Sequence, residues 1–220
     1  MKRPRTYIGF GTILFIILAF QGALAAQGEQ IIGLGIQNLK SVFRFEGEII
    51  TVNFVTYMLM TTLIIHVPIL VCLVTGDMIS GEASKGSLRL LVQRPYSRGQ
   101  IFMAKWIAGS IYTIALVLFA ALVTYFLGLA LFGDGDLIVF RQGINVIEAN
   151  DVAWRFVYGF GIGVLAMLVV SSLSMMISSF VNNSIGPIVG TIAIIIILNV
   201  LSALMTSLLK PVLPYIFTTH

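Results

Sequence analysis

Residues 156–209 read FVYGFGIGVLAMLVVSSLSMMISSFVNNSIGPIVGTIAIIIILNVLSALMTSLL, 54 consecutive positions without an Asp, Glu, Lys or Arg. As one α-helix the run would extend about 80 Å at about 1.5 Å per residue, far beyond the roughly 30 Å hydrocarbon core of a bilayer. It must therefore turn back. Polar side chains, Gly and Pro coincide at Asn182-Asn183-Ser184-Ile185-Gly186-Pro187, the combination that marks a turn. Two membrane crossings result, near 156–179 and 186–209.

The rest of the chain repeats the pattern. Charge is absent between Arg5 and Glu29, between Glu48 and Asp77 and between Lys105 and Asp134, gaps of 23, 28 and 28 residues. Each holds one helix at about 20 residues per crossing, which adds spans near 7–26, 54–76 and 106–131. The fold class that follows is all-α: a polytopic transmembrane helix bundle with five spans, forming a single membrane domain over 1–220. Composition agrees, with 58 % hydrophobic residues, 10 % charged and a mean hydropathy of +1.02. A soluble domain carries about a quarter charged residues to face water, so a soluble enzyme is excluded. Cys72, the only cysteine, lies within the second span and reads as plain packing.

Basic residues set the threading. With the N-terminus inside, the inner segments hold Lys2, Arg3, Arg5, Lys85, Arg89, Arg94, Arg98 and Lys105 against two acids, Asp77 and Glu82. The outer segments hold Lys40, Arg44, Arg141, Arg155 and Lys210 against seven acids. The expected protein is a multi-pass one of the cell (plasma or inner) membrane with a cytoplasmic N-terminus. Its basic balance then reflects topology and anionic inner-leaflet lipid rather than nucleic acid. Lys2-Arg3-Pro4-Arg5, the apolar run and Ala23-Leu24-Ala25 also fit a cleaved signal peptide. At about 20 residues the run is long for a signal core, and it is read as a retained helix.

The outer segments are 27–53, whose mixture of Ile31, Ile32, Leu34, Leu39, Val42 and Phe43 with polar residues suits an interfacial helix or a gate, and 132–155. Gly133-Asp134-Gly135-Asp136 reads as a solvated turn, because the twelve-residue calcium loop with its closing Glu is missing. Gly159/Gly163 and Gly186/Gly190 have the spacing of close helix contacts. His66, in the middle of the second span and two residues before Pro68, is a candidate intramembrane polar site. A neutral ring bonded to a neighbouring helix is the plainer reading. Ser171, Ser172, Ser174, Ser178 and Ser179 either line a polar path or bond helix to helix. There is no Gly-x-Ser-x-Gly, no phosphate-binding loop and no metal cluster. No catalytic, cofactor-binding or metal residue is assigned.

The inner loop 77–105 carries the functional signal. Leu88, Leu91 and Val92 make one apolar stripe of a short helix, Arg89 and Gln93 fall elsewhere, and Pro95 ends it. Such a helix, lying across the membrane surface between two spans, is shaped to dock in a groove of a cytosolic partner.

The order Asp77, Glu82, Gly86-Ser87-Leu88, Leu91, Arg94-Pro95, Ser97-Arg98, Lys105 resembles the coupling region of ATP-binding-cassette (ABC) permeases of type 2. The resemblance implies a membrane-spanning permease subunit of an ATP-driven exporter. It would act with a second permease copy or a paralogue, coupled through 77–105 to a separate cytosolic ATP-binding subunit. ATP and magnesium would belong to that partner, and the chain itself would be neither an enzyme nor a cofactor carrier. By the same resemblance, Glu82 through Gln93 would be the coupling helix, with Glu82, Leu88, Arg89 and Leu91 facing the ATPase and Gly86 allowing close approach. Pro95 and Arg98 would fix the return into the third span. The family has a further helix before the first span and a sixth span, so a chain cut before its last helix is expected. The rival reading is a non-transporting membrane anchor or scaffold for a cytosolic partner. The cargo is not legible.

Overall fold

A computed structural model describes residues 4–35, 50–84, 86, 96–140 and 144–209. Helix α1 spans Pro4–Gly35, α2 Val52–Thr75, α3 Asp77–Ser84, α4 Arg98–Phe132, α5 Ala149–Phe180 and α6 Ile185–Leu209. A hairpin of β1 (Leu137–Phe140) and β2 (Ile144–Ile147) precedes α5. Only one residue separates α2 from α3: Gly76, at φ −64° and ψ −29°, keeps right-handed helical values. Among the described residues, five helices are long and apolar enough to cross a membrane, with α2 and α3 together forming the second. The protein is thus an all-α polytopic bundle.

The helices overrun the charge-free stretches. Acids Asp77 and Glu82 lie in helical α3, and Lys105 lies one turn or more inside α4. Charge marks where lipid ends, whereas helix propensity and capping mark where a helix ends. At 35 residues, α4 is about 52 Å long, well beyond a roughly 30 Å core. The segment 77–105 is therefore helical at both flanks, and positions 85 and 87–95 lie outside the described residues. The start of α4 is fixed by a capping box in which Ser97 Oγ accepts from Gln100 N (3.2 Å) and Gln100 Oε1 accepts from Ser97 N (3.0 Å). The two orphan N–H groups are thereby satisfied reciprocally.

The core lies where α1, α2 and α4 meet. Ile13, Ile17, Gln21 and Leu24 form the buried stripe of α1, and Leu59, Leu63, Val67 and Val71 that of α2. Leu116, Val117 and Ala120 answer them from α4. Of the glycine pairs, Gly159 abuts Met60 of α2 and Gly190 abuts Ile177 of α5, whereas Gly163 meets nothing within 4 Å. Most of the surface is apolar: Val157 is 73 % exposed, Phe180 81 % and Ile197 63 %, as the bilayer requires of side chains that face lipid.

The outer segment 132–155, with its expected turn at 133–136, is more ordered than a solvated loop. Strands β1 and β2 pair antiparallel from Leu137↔Ile147 to Phe140↔Ile144. Leu137 packs with Phe54, Val152 and Phe156, which seats the hairpin on α2 and α5. Thr51 Oγ1 donates to Asp136 O (3.0 Å) and Asn53 Nδ2 to Gly135 O (2.7 Å). Asp136 accepts from Ala149 N (3.0 Å) and Asp134 from Gly135 N (3.0 Å). Both carboxylates thus bind backbone, and Asp136 satisfies an orphan donor in the first turn of α5.

Candidate functional site: the α2–α3 junction

At the end of the bundle opposite the hairpin, α3 continues α2 and is gripped by three other helices. Glycines make the approach possible. A Cβ placed on Gly76 would lie 3.0 Å from Ser174 Oγ of α5 and 3.3 Å from Ile188 Cγ1 of α6. One placed on Gly109 of α4 would meet Met78 Sδ and Thr75 Cγ2 at 3.4 Å. A larger residue at Gly76 would push α5 or α6 away from the junction, whereas at Gly109 a methyl would reach only ordinary contact.

Polar groups then lock the contact. Ser178 Oγ, from α5, donates to Gly76 O (2.6 Å) and accepts from Ser80 N (2.9 Å). Those two backbone groups are the pair that a regular helix joins directly from i to i−4. A hydroxyl from another helix bridges them instead, the kind of insertion that gives a helix a bending point. Ser80 Oγ also donates to Gly76 O (2.8 Å), so that carbonyl is doubly satisfied. All of these groups are buried, where an unpaired N–H is expensive.

The far end of α3 is held from α4. Lys105 Nζ donates to Met78 O (2.6 Å) and forms an ion pair with the Glu82 carboxylate. The two side chains are only 15 % and 22 % exposed, so solvent screens the pair weakly. Trp106 Nε1 donates to Ser172 Oγ (2.9 Å), joining α4 to α5 beside it. Lys105 and Ser178 therefore tie α3 to α4 through the ion pair and to α5 through the serine.

The residues singled out in the sequence fall unevenly around this junction. Glu82 lies on α3, and its carboxylate is engaged by Lys105. Gly86 sits just beyond α3 in a turn where its N–H donates to Ala83 O (3.1 Å), with φ +72°, a conformation that glycine tolerates best. Arg98 is the exposed first residue of α4. Leu88, Arg89, Leu91 and Pro95 lie outside the described residues. His66 is remote from the junction, on an outward face of α2, with Nδ1 2.8 Å from Thr62 O. Its ring bonds its own helix rather than a neighbour. Of the serines, Ser172 and Ser178 bond helix to helix, while Ser179 donates to Met176 O in its own helix. The helix-to-helix reading of the serines thus holds for Ser178, whereas the pairing of Lys105 with Glu82 was not foreseen. Lys105 and Glu82, opposite charges at the membrane ends of consecutive spans, were the available signal. No pattern pairs Ser178 with Gly76, 102 positions away.

Residues 2–215 match the family model described as "ABC-2 family transporter protein". The chain is also 28 % identical over 120 residues to "Uncharacterized protein YhcI" of Bacillus subtilis (strain 168), a match covering 52 % of this chain and 38 % of that protein. No solved structure matches.

Proposed function

Because the chain belongs to the ABC-2 family of transporter proteins, and is thus a multi-pass permease subunit of a membrane transporter, we propose that it forms part of an ATP-driven exporter, coupled through 77–105 to a separate cytosolic ATPase. The observation that carries this reading is the clamped lever. α3 continues the most deeply buried membrane helix and is tied by Lys105 to α4 and by Ser178 to α5.

A docking element that merely anchored a partner would need no such ties. One that transmits work must be stiff along the push and jointed at its root. Gly76, bridged by Ser178, is the joint. Glu82 braces the lever through Lys105, and Ser84, Gly86 and Arg98, all exposed, flank the surface offered to the ATPase. Two permeases, each a copy or a paralogue of the other, would rock between inward-open and outward-open states as the paired ATPases bind and hydrolyse ATP with magnesium. Such rocking couples two sites through a bistable interface. The basic bias of its flanking segments supports a cytosolic position for the α2–α3 end, in a cell membrane. Export is the direction that the type-2 permease resemblance implies.

Reversing Arg98 tests the docking claim without touching the clamp. Arg98→Glu should weaken association with the ATPase by about tenfold, the scale of one lost charge contact, while the permease keeps its thermal stability. Unchanged association and unchanged permease-stimulated ATP hydrolysis would remove 77–105 as the coupling surface.

A further inference from the structure

Helix α6 leaves the bundle partway along its length. Its first part is packed: Pro187 and Thr191 are buried, Ile188 lies against Gly76 of α2, and Gly190 abuts Ile177 of α5. From Ile196 to Ser202 every residue is exposed, as are Leu204 and Met205. Exposed residues in an unbroken run of that length cover the whole circumference of a helix that turns every 3.6 residues or so, about two turns. No other described helix covers any side of it.

For Ile, Leu and Val that needs no partner, because lipid suits them. Asn199 is different. Thr191 lies beside Cys72 and Ile188 against Gly76, so α6 runs antiparallel to α2. Asn199, eleven residues beyond Ile188, is therefore about 16 Å from Gly76 along the bundle. That level is near the middle of the charge-free run 49–76, deep in a hydrocarbon core of roughly 30 Å.

The carboxamide is only partly satisfied there. Ile195 O can only accept, so the contact of 2.8 Å assigns Nδ2 of Asn199 as its donor. One N–H is used. The second N–H and Oδ1 have no partner among the described residues. Amide groups left bare in hydrocarbon are costly, and asparagines in membrane helices bond across to other helices. What Asn199 has left is one donor and one acceptor, the set that complements a copy of itself. Across a two-fold axis a residue can meet its own counterpart, and each carboxamide then donates one N–H to the other's Oδ1. Lipid tails offer neither group. Nor does the outward stripe of α5, where Val157, Ile162, Leu165 and Val169 are each at least 65 % exposed.

We infer that α6 is the seam between two copies of this chain, with the two Asn199 carboxamides bonded to each other across a two-fold axis along the membrane normal. Ile195 and Ile196 lie one turn before Asn199, and Ser202 one turn after it, on the same side of the helix. They supply apolar contact and a small residue that lets two backbones approach. A single Asn in an apolar seam also fixes register and partner number. This axis leaves both α3 ends in one compartment. The pairing deepens the coupled-permease reading and rests on it for any role in transport.

The full chain, carrying Cys72→Ala and produced in membranes without an ATPase, tests it. Ile196→Cys should give a copy-to-copy disulfide under mild oxidation, and Val157→Cys on α5 should not. In detergent, Asn199→Leu should raise the dissociation constant of the pair about tenfold, the scale of two interhelical hydrogen bonds. The dissociated protomer should melt unchanged, since Asn199 bonds only its own helix. Asn199→Gln, which keeps both donor and acceptor, should restore most of the affinity. Cross-linking at Ile196→Cys no stronger than at Val157→Cys, or an affinity indifferent to Asn199→Leu, would overturn the seam. So would shielding of Ile196→Cys from a lipid-soluble maleimide without any copy-to-copy disulfide, which would show a different chain segment covering α6. Pairing as stated, in a protein that stimulates no ATPase, would uphold the seam and count against the transport reading.

Discussion

Replacing Lys105 by methionine removes the charge that braces α3 while keeping most of the length of the side chain. The cost can be worked from what Lys105 touches. Its ion pair with Glu82 is 15 % and 22 % exposed on the two sides. That places it between surface pairs, at about 0–1 kcal/mol, and buried ones, at about 3–5 kcal/mol when one partner is lost. About 2 kcal/mol is a fair central figure. The bond to Met78 O adds about 1 kcal/mol. A loss of about 3 kcal/mol lowers the melting temperature of a chain of this size by about 6–12 °C. Glu82→Gln, which keeps the shape and leaves Lys105 its carbonyl, should lose less, about 1–2 kcal/mol. The double variant should fall short of the sum by about 1–2 kcal/mol, because the pair is lost only once. Thermal unfolding of the four proteins in one detergent, followed by fluorescence, reads all of this. ATPase stimulation in the assembled transporter should fall in Lys105→Met even where association persists, since a loosened lever docks but does not transmit. Additive melting shifts, or a Lys105→Met shift below about 1 °C, would refute the brace.

Two further outcomes follow from buried polar groups. Ser178→Ala orphans Ser80 N, while Gly76 O keeps Ser80 Oγ. It should cost about 1–3 kcal/mol and speed amide hydrogen exchange at Ser80 relative to the middle of α2; unchanged exchange would mean that the backbone closes the gap unaided. Gln21 is fully buried and donates Nε2 to Thr124 O (2.9 Å), but its Oε1 has no partner among the described residues. Gln21→Leu should therefore be neutral or stabilising by up to about 1 kcal/mol, and a loss above about 2 kcal/mol would reveal a partner for Oε1.

The membrane architecture was legible because one rule governs it. Charge is excluded from lipid, so the four gaps around 6–28, 49–76, 106–133 and 156–209 place five helices, and the polar cluster at 182–187 places the last reversal. The same rule misplaces helix ends. Asp77, Glu82 and Lys105 lie outside the charge-free runs but within helices, since nothing in a charge stops a helix. The hairpin was invisible for another reason. Leu137–Phe140 is apolar throughout rather than alternating, and a four-residue strand resembles the apolar fringe of a loop. The site was half legible. Glu82 and Lys105 stand out as charges near membrane, but their pairing spans 23 positions and depends on how α2 and α4 align in space. Ser178 looked like four other serines, and only the packing of α5 on Gly76 distinguishes it.

The proposed coupling requires the end of α3 to face the cytosol, within reach of an ATPase. Ser84, exposed at the end of α3, and Asp134, exposed at the hairpin end, can each be changed to cysteine after Cys72→Ala removes the native thiol. A membrane-impermeant maleimide added to intact cells should modify Asp134→Cys, and should reach Ser84→Cys only after the membrane is opened. Modification of Ser84→Cys in intact cells would invert the threading and remove the ATPase from its docking surface.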